Sequence, residues 1–403
     1  MARILIAGGS LGGLMTANLL LRAGHAVQLL ERSPRSLQGR GAGIVTHEGQ
    51  RQVLRQAGVT VDETLGIAVA SRVVLGADGQ ALFRWDHPQI LTSWGRLYAL
   101  LSAALPPGCQ RLGAGVTAVH QTDDGVSLQL ASGETLQADL LLAADGIRST
   151  VRAQLLPEVQ PAYAGYVAWR GVCDEAVLSR FTRETLFPHF GFGMPAGEQM
   201  LGYPVAGLND STAVGERRWN FVWYRPAAAG AELQALQTDA DGTHHAGGLP
   251  PQAVSWQQIA AVRAAARARL APQFAEVLEK TAMPFVQPIY DLASPQLAHG
   301  RVALLGDAAF VARPHVGMGV AKAAADALAL QQAIAEFGAT PQALRHYELQ
   351  RRPAGLAVVE RARQLGAGLE AVPHGAAPTT RRAPDVVMHQ TAIDPSLFAT
   401  YPP

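Results

Sequence analysis

The opening residues constrain this chain's fold more than any other stretch. Residues 3–7 are apolar and β-branched, residues 11–23 carry apolar side chains at helical spacing, and residues 26–30 return to a strand pattern. Between the first strand and the helix stands Gly8-Gly9-Ser10-Leu11-Gly12-Gly13, and Gly24 sits where a helix cap belongs. Strand, glycine turn, helix and strand within about thirty residues make a βαβ unit, whose two strands are parallel and whose crossover is right-handed. Gly8 permits the tight turn, Gly13 lets helix and strand approach closely, and the helix N-terminus offers free N–H groups to a phosphate. Ser10 occupies the place of the middle fingerprint glycine, so it adds a Cβ and a hydroxyl donor there. Glu31 ends the second strand and can accept both hydroxyls of an adenosine ribose; alternatively it is a surface carboxylate beside a glycine-rich turn.

The rest of the chain alternates in the same way. A Gly-rich loop (residues 39–43) precedes a short helix near residues 48–57 and a hairpin, residues 71–75 and 81–85, turning at Asp78-Gly79. A helix over residues 95–105 stops at Pro106-Pro107, and a second hairpin, residues 116–120 and 126–130, turns at Asp124-Gly125. Residues 161–291 change character. They hold strands rich in Tyr, Trp and Phe (163–173, 219–225) and an Ala/Arg helix over 255–270. Residues 302–305 read as another buried strand, followed by helices over 319–337 and 341–369. After Pro373 the composition turns to Pro, Thr, Ala and Arg, which predicts an extended tail.

Apolar residues make up 48% and charged residues 16% of 403, so the chain is globular, not disordered. A net charge of +1 without a basic run argues against nucleic acid as partner. Two cysteines, Cys109 and Cys173, are too few for a disulfide framework and read as reduced thiols. His244 and His245 are adjacent and lack chelate spacing, so no metal is expected. No run reaches the roughly 18 apolar residues of a membrane span, and the short first strand is broken at once by Gly8-Gly9-Ser10. The expected location is therefore cytoplasmic, with no membrane partner; a homodimer is the default expectation.

Two further segments carry chemistry. Asp139-Leu-Leu-Leu-Ala-Ala-Asp145-Gly146 is a buried strand ending in an Asp-Gly turn, with Ser149 opening the next helix; a plain strand–turn–helix capped by Ser149 is the alternative. Gly306-Asp307-Ala308-Ala309, then Pro314-His315-Val316-Gly317-Met318-Gly319, then Asp326, delivers an Asp from a strand end and opens a Pro/Gly loop onto a long helix. Such a helix N-terminus can set N–H groups and a positive dipole beside an electron-rich ring edge.

These three segments, in this order up to about residue 370, resemble the FAD-dependent aromatic hydroxylases of the para-hydroxybenzoate hydroxylase type. Within that family the likeness is strongest to dihydroxypyridine hydroxylases, through Ile6-Ala7-Gly8-Gly9-Ser10, Glu31-Arg32-Ser33-Pro34, Gly41-Ala42-Gly43-Ile44-Val45, residues 163–171 and Arg313-Pro314-His315. Phe310, Met318 and Ala321 depart from residues common in the wider family.

The resemblance implies an α/β fold, with a Rossmann-like FAD-binding domain (1–70, 95–160, 295–370) and an inserted mixed sheet-plus-helix substrate domain (71–94, 161–294). C-terminal helices follow, and then an extended tail (371–403). It implies that Gly8, Ser10, Leu11, Gly12, Gly13 and Glu31 serve the ADP half of FAD, with Arg96 near the pyrophosphate. Arg32, Arg40 and Gly43 are further cofactor contacts. Asp145 serves FAD and the nicotinamide cofactor. Gly306, Asp307, Pro314, Gly317, Met318 and Gly319 hold ribitol and flavin. The implied activity is hydroxylation of an electron-rich hydroxylated ring, a hydroxypyridine such as 2,6-dihydroxypyridine. NADH or NADPH reduces FAD, and dioxygen reacts at flavin C4a to give the hydroperoxide that donates oxygen.

On the substrate side, His315 is the first candidate catalytic residue, because its loop should border the flavin; alternatively it is a loop histidine bonded to backbone. Tyr203 can hydrogen-bond a ring oxygen or be a core tyrosine. Arg170 and Arg313 can pair with an anionic substrate or serve structure. Trp169, Tyr166 and Tyr224 fit an aromatic wall or an ordinary core. Other readings stay open: a hydroxybenzoate or urate-like substrate, a non-hydroxylating FAD oxidoreductase, or a flavin-bearing sensor. A halogenase lacks its Trp-x-Trp-x-Ile-Pro stretch here, and a plain NAD dehydrogenase leaves Gly306-Asp307 unexplained.

Overall fold

The computed structural model describes residues 1–38, 43–371 and 382–402. Among these residues the strands form three sheets. The first runs, edge to edge, Ala298–His299, Val302–Leu304, Leu140–Ala143, Arg3–Ala7, Ala26–Glu31 and Gln110–Leu112. All its neighbours from Val302–Leu304 onward pair in parallel. A parallel sheet is covered on both faces, and residues 4–7 and 140–143 are accordingly apolar and buried throughout.

The opening forms the predicted βαβ unit. The helix Leu11–Arg22 leaves the first strand through a turn in which Gly8 has φ +106° and a Cβ would lie 2.3 Å from the Ala144 carbonyl oxygen. A Cβ on Gly13 would lie 1.9 Å from the Gly8 carbonyl oxygen, so helix and turn touch backbone to backbone. The helix then packs against Gly319–Phe337. Ala7 pairs with Ala143, and Ala143 with Leu304, so three distant stretches end side by side.

The second sheet is mixed, in the order Phe310–Val311, Phe285–Ala293, Ala162–Asp174, Arg218–Pro226, Gln199–Val205, His189–Gly193, Ile67–Leu75, Ala81–Ser93, Gly43–Val45. Strand alternation gives it two apolar faces. Val167, Trp169, Phe221 and Trp223 pack with Ile259, Val262, Phe274 and Val277 of the helices Trp256–Arg269 and Pro272–Lys280. The other face carries Tyr166, Ala168, Phe190, Leu201, Tyr203, Val222 and Tyr224. The third sheet comprises Val116–Gln121, Val126–Leu130 and Thr135–Ala138, one strand more than the predicted hairpin.

Two sequence expectations need correction. The second sheet exceeds the predicted 71–94 and 161–294: Gly43–Val45 pairs with residues 91–93, and Phe310–Val311 pairs with residues 292–293. Such pairings are set by long-range register, which local pattern does not encode. The tail is not extended over its described part, since Pro384–Gln390 is a helix whose Met388 is fully buried. Its amphipathic stretch is too short to stand out among Pro and Arg.

Gly13→Ala forces a methyl into the Gly8 backbone and is expected to cost about 1–3 kcal/mol. The thermal midpoint should fall; an unchanged midpoint refutes the claimed backbone contact.

Candidate active site

The carboxyl ends of the parallel strands open onto a groove. One part is lined by Gly8, Ser10, Glu31, Arg32, Asp145 and Asp307. A second, deeper part shares Ser10, Gly146 and Asp307 with it and continues between the two sheets. Glu31 is buried, and its oxygens accept the Gly9 N–H at 2.9 Å and the Ser33 N–H at 2.8 Å, so it staples the glycine turn to the next loop. A carboxylate has four acceptor positions, which leaves two for a ribose. No side chain caps Leu11–Arg22 at Ser10, so the helix's leading N–H groups face the groove unspent.

Asp145 lies in the same wall and accepts the Val151 N–H at 3.3 Å. Burial raises its pKa, opposed by the Ser149 and Val151 hydrogen bonds, and its Oδ1 has no hydrogen-bond partner among the described residues. Asp307 stands where both parts of the groove meet, half open to it. The surrounding walls desolvate its carboxyl and raise its pKa, while Lys322, 3.8 Å away, pulls it back. Gly306 is pinned from behind, its N–H donating to Asp326 Oδ2 at 3.0 Å, and Arg351 grips that carboxylate at 2.7 Å.

The helix Gly319–Phe337 also begins at the deep groove without a side-chain cap. Pro314, Gly317 and Gly319 line this wall, whereas the Met318 side chain turns into a small core with Val316 and Leu365. Two uncapped helix N-termini, an unpartnered buried carboxylate oxygen and a glycine cradle suit an extended ligand with a pyrophosphate at one end and an electron-rich ring at the other. FAD is such a ligand.

Opposite lies the substrate sheet's free face. Arg170, Tyr203 and Tyr224 reach the groove from adjacent strands, with Phe190, Leu201 and Val222 between them. Gly43 completes the corner: its N–H donates to Asn220 Oδ1 at 2.9 Å, and a Cβ would strike the Tyr203 ring. Leu11 and Gly12 also line the groove, while Gly13 serves the helix–turn contact.

Like Met318, His315 and Arg96 are placed away from the groove; Arg313 lines it but is engaged in ion pairs, and Arg40 cannot be assigned. His315 is fully buried and does not line the groove. Its Nε2 lies 2.9 Å from the Tyr166 hydroxyl, and burial with nearby arginines lowers its pKa to about 3. The loop turns inward there because aromatic Tyr166 and Tyr224 receive the imidazole. Arg96 points away from the groove, to Asp210 at 3.0 Å and Thr64 at 3.1 Å. Arg313 is spent on Asp291 and Glu370, each at 2.9 Å. Arg40 lies outside the described residues.

Sequence reasoning missed Lys322, whose fully buried ammonium has no hydrogen bond within the described residues and faces Asp307. A lysine inside an Ala-rich, otherwise buried helix face was the available signal. His47 was also missed; its Nε2 donates to the Gly317 carbonyl at 3.1 Å and so holds the loop.

The chain is similar to known proteins over most of its length. A family profile described as FAD binding domain-like matches residues 163–291. Aurachin C monooxygenase/isomerase of Stigmatella aurantiaca is 31% identical over 378 residues, covering 91% of this chain and 87% of that protein. The 2,6-dihydroxypyridine 3-monooxygenase of Paenarthrobacter nicotinovorans is 28% identical over 368 residues, 91% of both chains. The solved 2,6-dihydroxypyridine-3-hydroxylase from Arthrobacter nicotinovorans superposes with a TM-score of 0.86 at 27% identity, covering 93% of this chain and 95% of that one.

Asp307→Ala should weaken FAD retention by about tenfold or more, the scale of a lost hydrogen bond to a charged group. The check is a flavin-fluorescence Kd, and full occupancy after purification removes the assignment. His315→Phe should leave the acidic limb of the turnover pH profile between about pH 5 and 8 where it was. Because the unfolded imidazole titrates near 6.5 and the folded one near 3, His315 subtracts stability as pH falls through that window. The variant should therefore lose less stability than the parent between pH 6.5 and 3; an identical acid-unfolding curve contradicts this.

Proposed function

Because the chain belongs to the class A FAD-dependent aromatic monooxygenases, we propose that it hydroxylates a hydroxylated N-heteroaromatic ring, a hydroxypyridine in the first instance. NADH or NADPH is the reductant and dioxygen the co-substrate. The observation that carries this is Arg170. Its guanidinium faces the deep groove from a wall of phenyl, phenol and aliphatic groups, and among the described residues it has no hydrogen bond or ion pair. The residue is half-buried, with its Nε buried and unpaired, so an anionic ligand in the groove would complete the site. A hydroxypyridine supplies that charge on a flat ring when its oxygen is deprotonated. The similarity to an enzyme named for 2,6-dihydroxypyridine supports the same ring class.

FAD, when bound, would supply the redox chemistry, linking oxidation of the nicotinamide to activation of dioxygen. The residues that would hold it are Gly8, Ser10 and Glu31 at the adenosine end, Asp307 at the ribitol, and Pro314, Gly317 and Gly319 at the ring edge. The chain's own work is electrostatic. Arg170 favours the ring's anionic form, which raises electron density on the carbon to be oxygenated. Burial pushes the Tyr203 phenol well up and Tyr224 up to about 12, so both stay protonated at neutral pH and donate to ring heteroatoms. The uncapped start of Gly319–Phe337 would stabilise negative charge on the cofactor's ring edge. Phe190, Leu201, Val222, Ile44 and Trp94 keep the reacting centre dry.

The test is a purified, FAD-loaded protein, a panel of hydroxypyridines and hydroxybenzoates, NAD(P)H consumption and product mass. A product heavier by one oxygen from a hydroxypyridine is expected; NAD(P)H oxidation without any oxygenated product across the panel overturns the proposal. Arg170→Met should lower kcat/KM by about 10- to 100-fold, as for a charge-assisted hydrogen bond, with FAD content unchanged. An unaffected kcat/KM removes Arg170 from the mechanism.

A further inference from the structure

The groove has a wall that belongs to neither sheet. Thr391 and Ala392 line it, just beyond the helix Pro384–Gln390. This C-terminal strap is held by a residue far back in the sequence, Arg72 on Ile67–Leu75. Arg72 is fully buried, and among the described residues no carboxylate pairs with it. Four of its five N–H donors are engaged. Nη1 donates to the Met388 and Thr391 carbonyls at 2.8 and 2.5 Å, Nη2 to the Ala392 carbonyl at 2.9 Å, and Nε to Gln89 Oε1 at 2.9 Å. Three of those acceptors lie within five consecutive residues at the end of one short helix, where carbonyls are otherwise unsatisfied. The guanidinium also sits 5.0 Å from the Phe190 ring centroid, so the anchor reaches the groove's aromatic floor.

The strap is registered against the flavin-side loop as tightly as against the sheet. Ala392 N–H donates to the His315 carbonyl at 2.9 Å, and Ala392 takes φ +48°, a left-handed conformation that costs an alanine about 1–2 kcal/mol. Gly317, at φ +65°, meets it so closely that a Cβ would lie 2.5 Å from the Ala392 methyl. His47 links the two, with Nε2 on the Gly317 carbonyl and Nδ1 3.8 Å from Asp394. Thr391 is buried, and its Oγ1 lies at 3.5 Å from Gln199 Nε2. A strained residue held from three sides marks a position whose placement is over-determined.

We propose that Thr391 and Ala392 form the wall that sets the size of the ring the groove admits, and that Arg72 is the positioning residue that holds this wall. The inference rests on the reading of the groove as a ring-binding site and adds the residues that select the ring. The wall stands against the Pro314–Gly317 loop and lines the same groove as Tyr203 and Arg170, so a bulkier side chain at Thr391 shrinks the space left for a ring, and removal of its side chain enlarges it.

The experiment is equilibrium titration of FAD-loaded protein with monocyclic hydroxypyridines and bicyclic hydroxyquinolines, read as perturbation of the visible flavin spectrum, with FAD content measured alongside. Thr391→Phe should weaken bicyclic binding at least tenfold more than monocyclic binding. Thr391→Gly should shift the ratio the other way by a similar factor. Arg72→Met should move the ratio as Thr391→Gly does, and Arg72→Lys should return it to within about threefold of the parent. If the Arg72 variants do not fold, the Thr391 pair decides. Parent protein that binds rings while both Thr391 variants keep its ratio within twofold overturns this inference alone; parent protein that binds no ring overturns the functional reading and this inference with it.

Discussion

Parallel alignment of three strands is what everything in this molecule depends on. Arg3–Ala7, Leu140–Ala143 and Val302–Leu304 are neighbours in register, so their carboxyl ends fall on one edge. Gly8, Asp145 and Asp307 follow those ends within three residues, although the first and last are nearly 300 residues apart in sequence. No side-chain interaction has to bring them together; backbone hydrogen bonds do so, and ligands in open α/β sheets bind along such an edge for the same reason. The glycine contacts at 8 and 13 permit the first helix to start close enough for its N–H groups to matter.

The distribution of charge then sorts the arginines and lysines into those that hold the protein together and those left over for a ligand. Arg313, Arg351 and Arg217 are each paired with buried carboxylates. Arg72 is satisfied by carbonyls. Arg170 and Lys322 remain, one facing the substrate side of the groove and the other behind Asp307. Lys322 is buried with Asp307 at 3.8 Å as its counter-charge, and half-buried Arg170 has none within the described residues, so both cations are turned to the groove. By the same measure His315 loses its candidacy as a base. An imidazole whose pKa is near 3 and whose Nε2 faces a phenol is a structural contact, and it shapes the loop instead of moving protons.

The second sheet contributes through alternation alone. Trp169 and Arg170 are adjacent in sequence and lie on opposite faces, one in the helix-covered core and the other in the groove. The same rule separates Trp223 from Tyr224 and Phe221 from Val222. An aromatic-rich segment thus serves two purposes, a dry support and a polar-studded wall. The C-terminal strap closes that wall through strained and carbonyl-capped backbone.

The βαβ opening, the two later strand–acid turns and the hairpins were readable in the sequence because their signals are local: hydrophobic period, glycine position, Asp-Gly turns. Those signals named Glu31, Asp145, Asp307 and the loop before Gly319. They also named Arg170 and Tyr203 without saying which face of their strands would look into the groove. What local pattern does not encode is direction and long-range register. Whether His315 points in or out, whether Arg96 meets phosphate or Asp210, which strand Gly43–Val45 joins, and that residues 391–392 return to cover the site were all decided by tertiary packing. The reason is physical. A residue's type and spacing fix its backbone preference within a few neighbours, while its partner is fixed only when segments hundreds of residues apart close on one core.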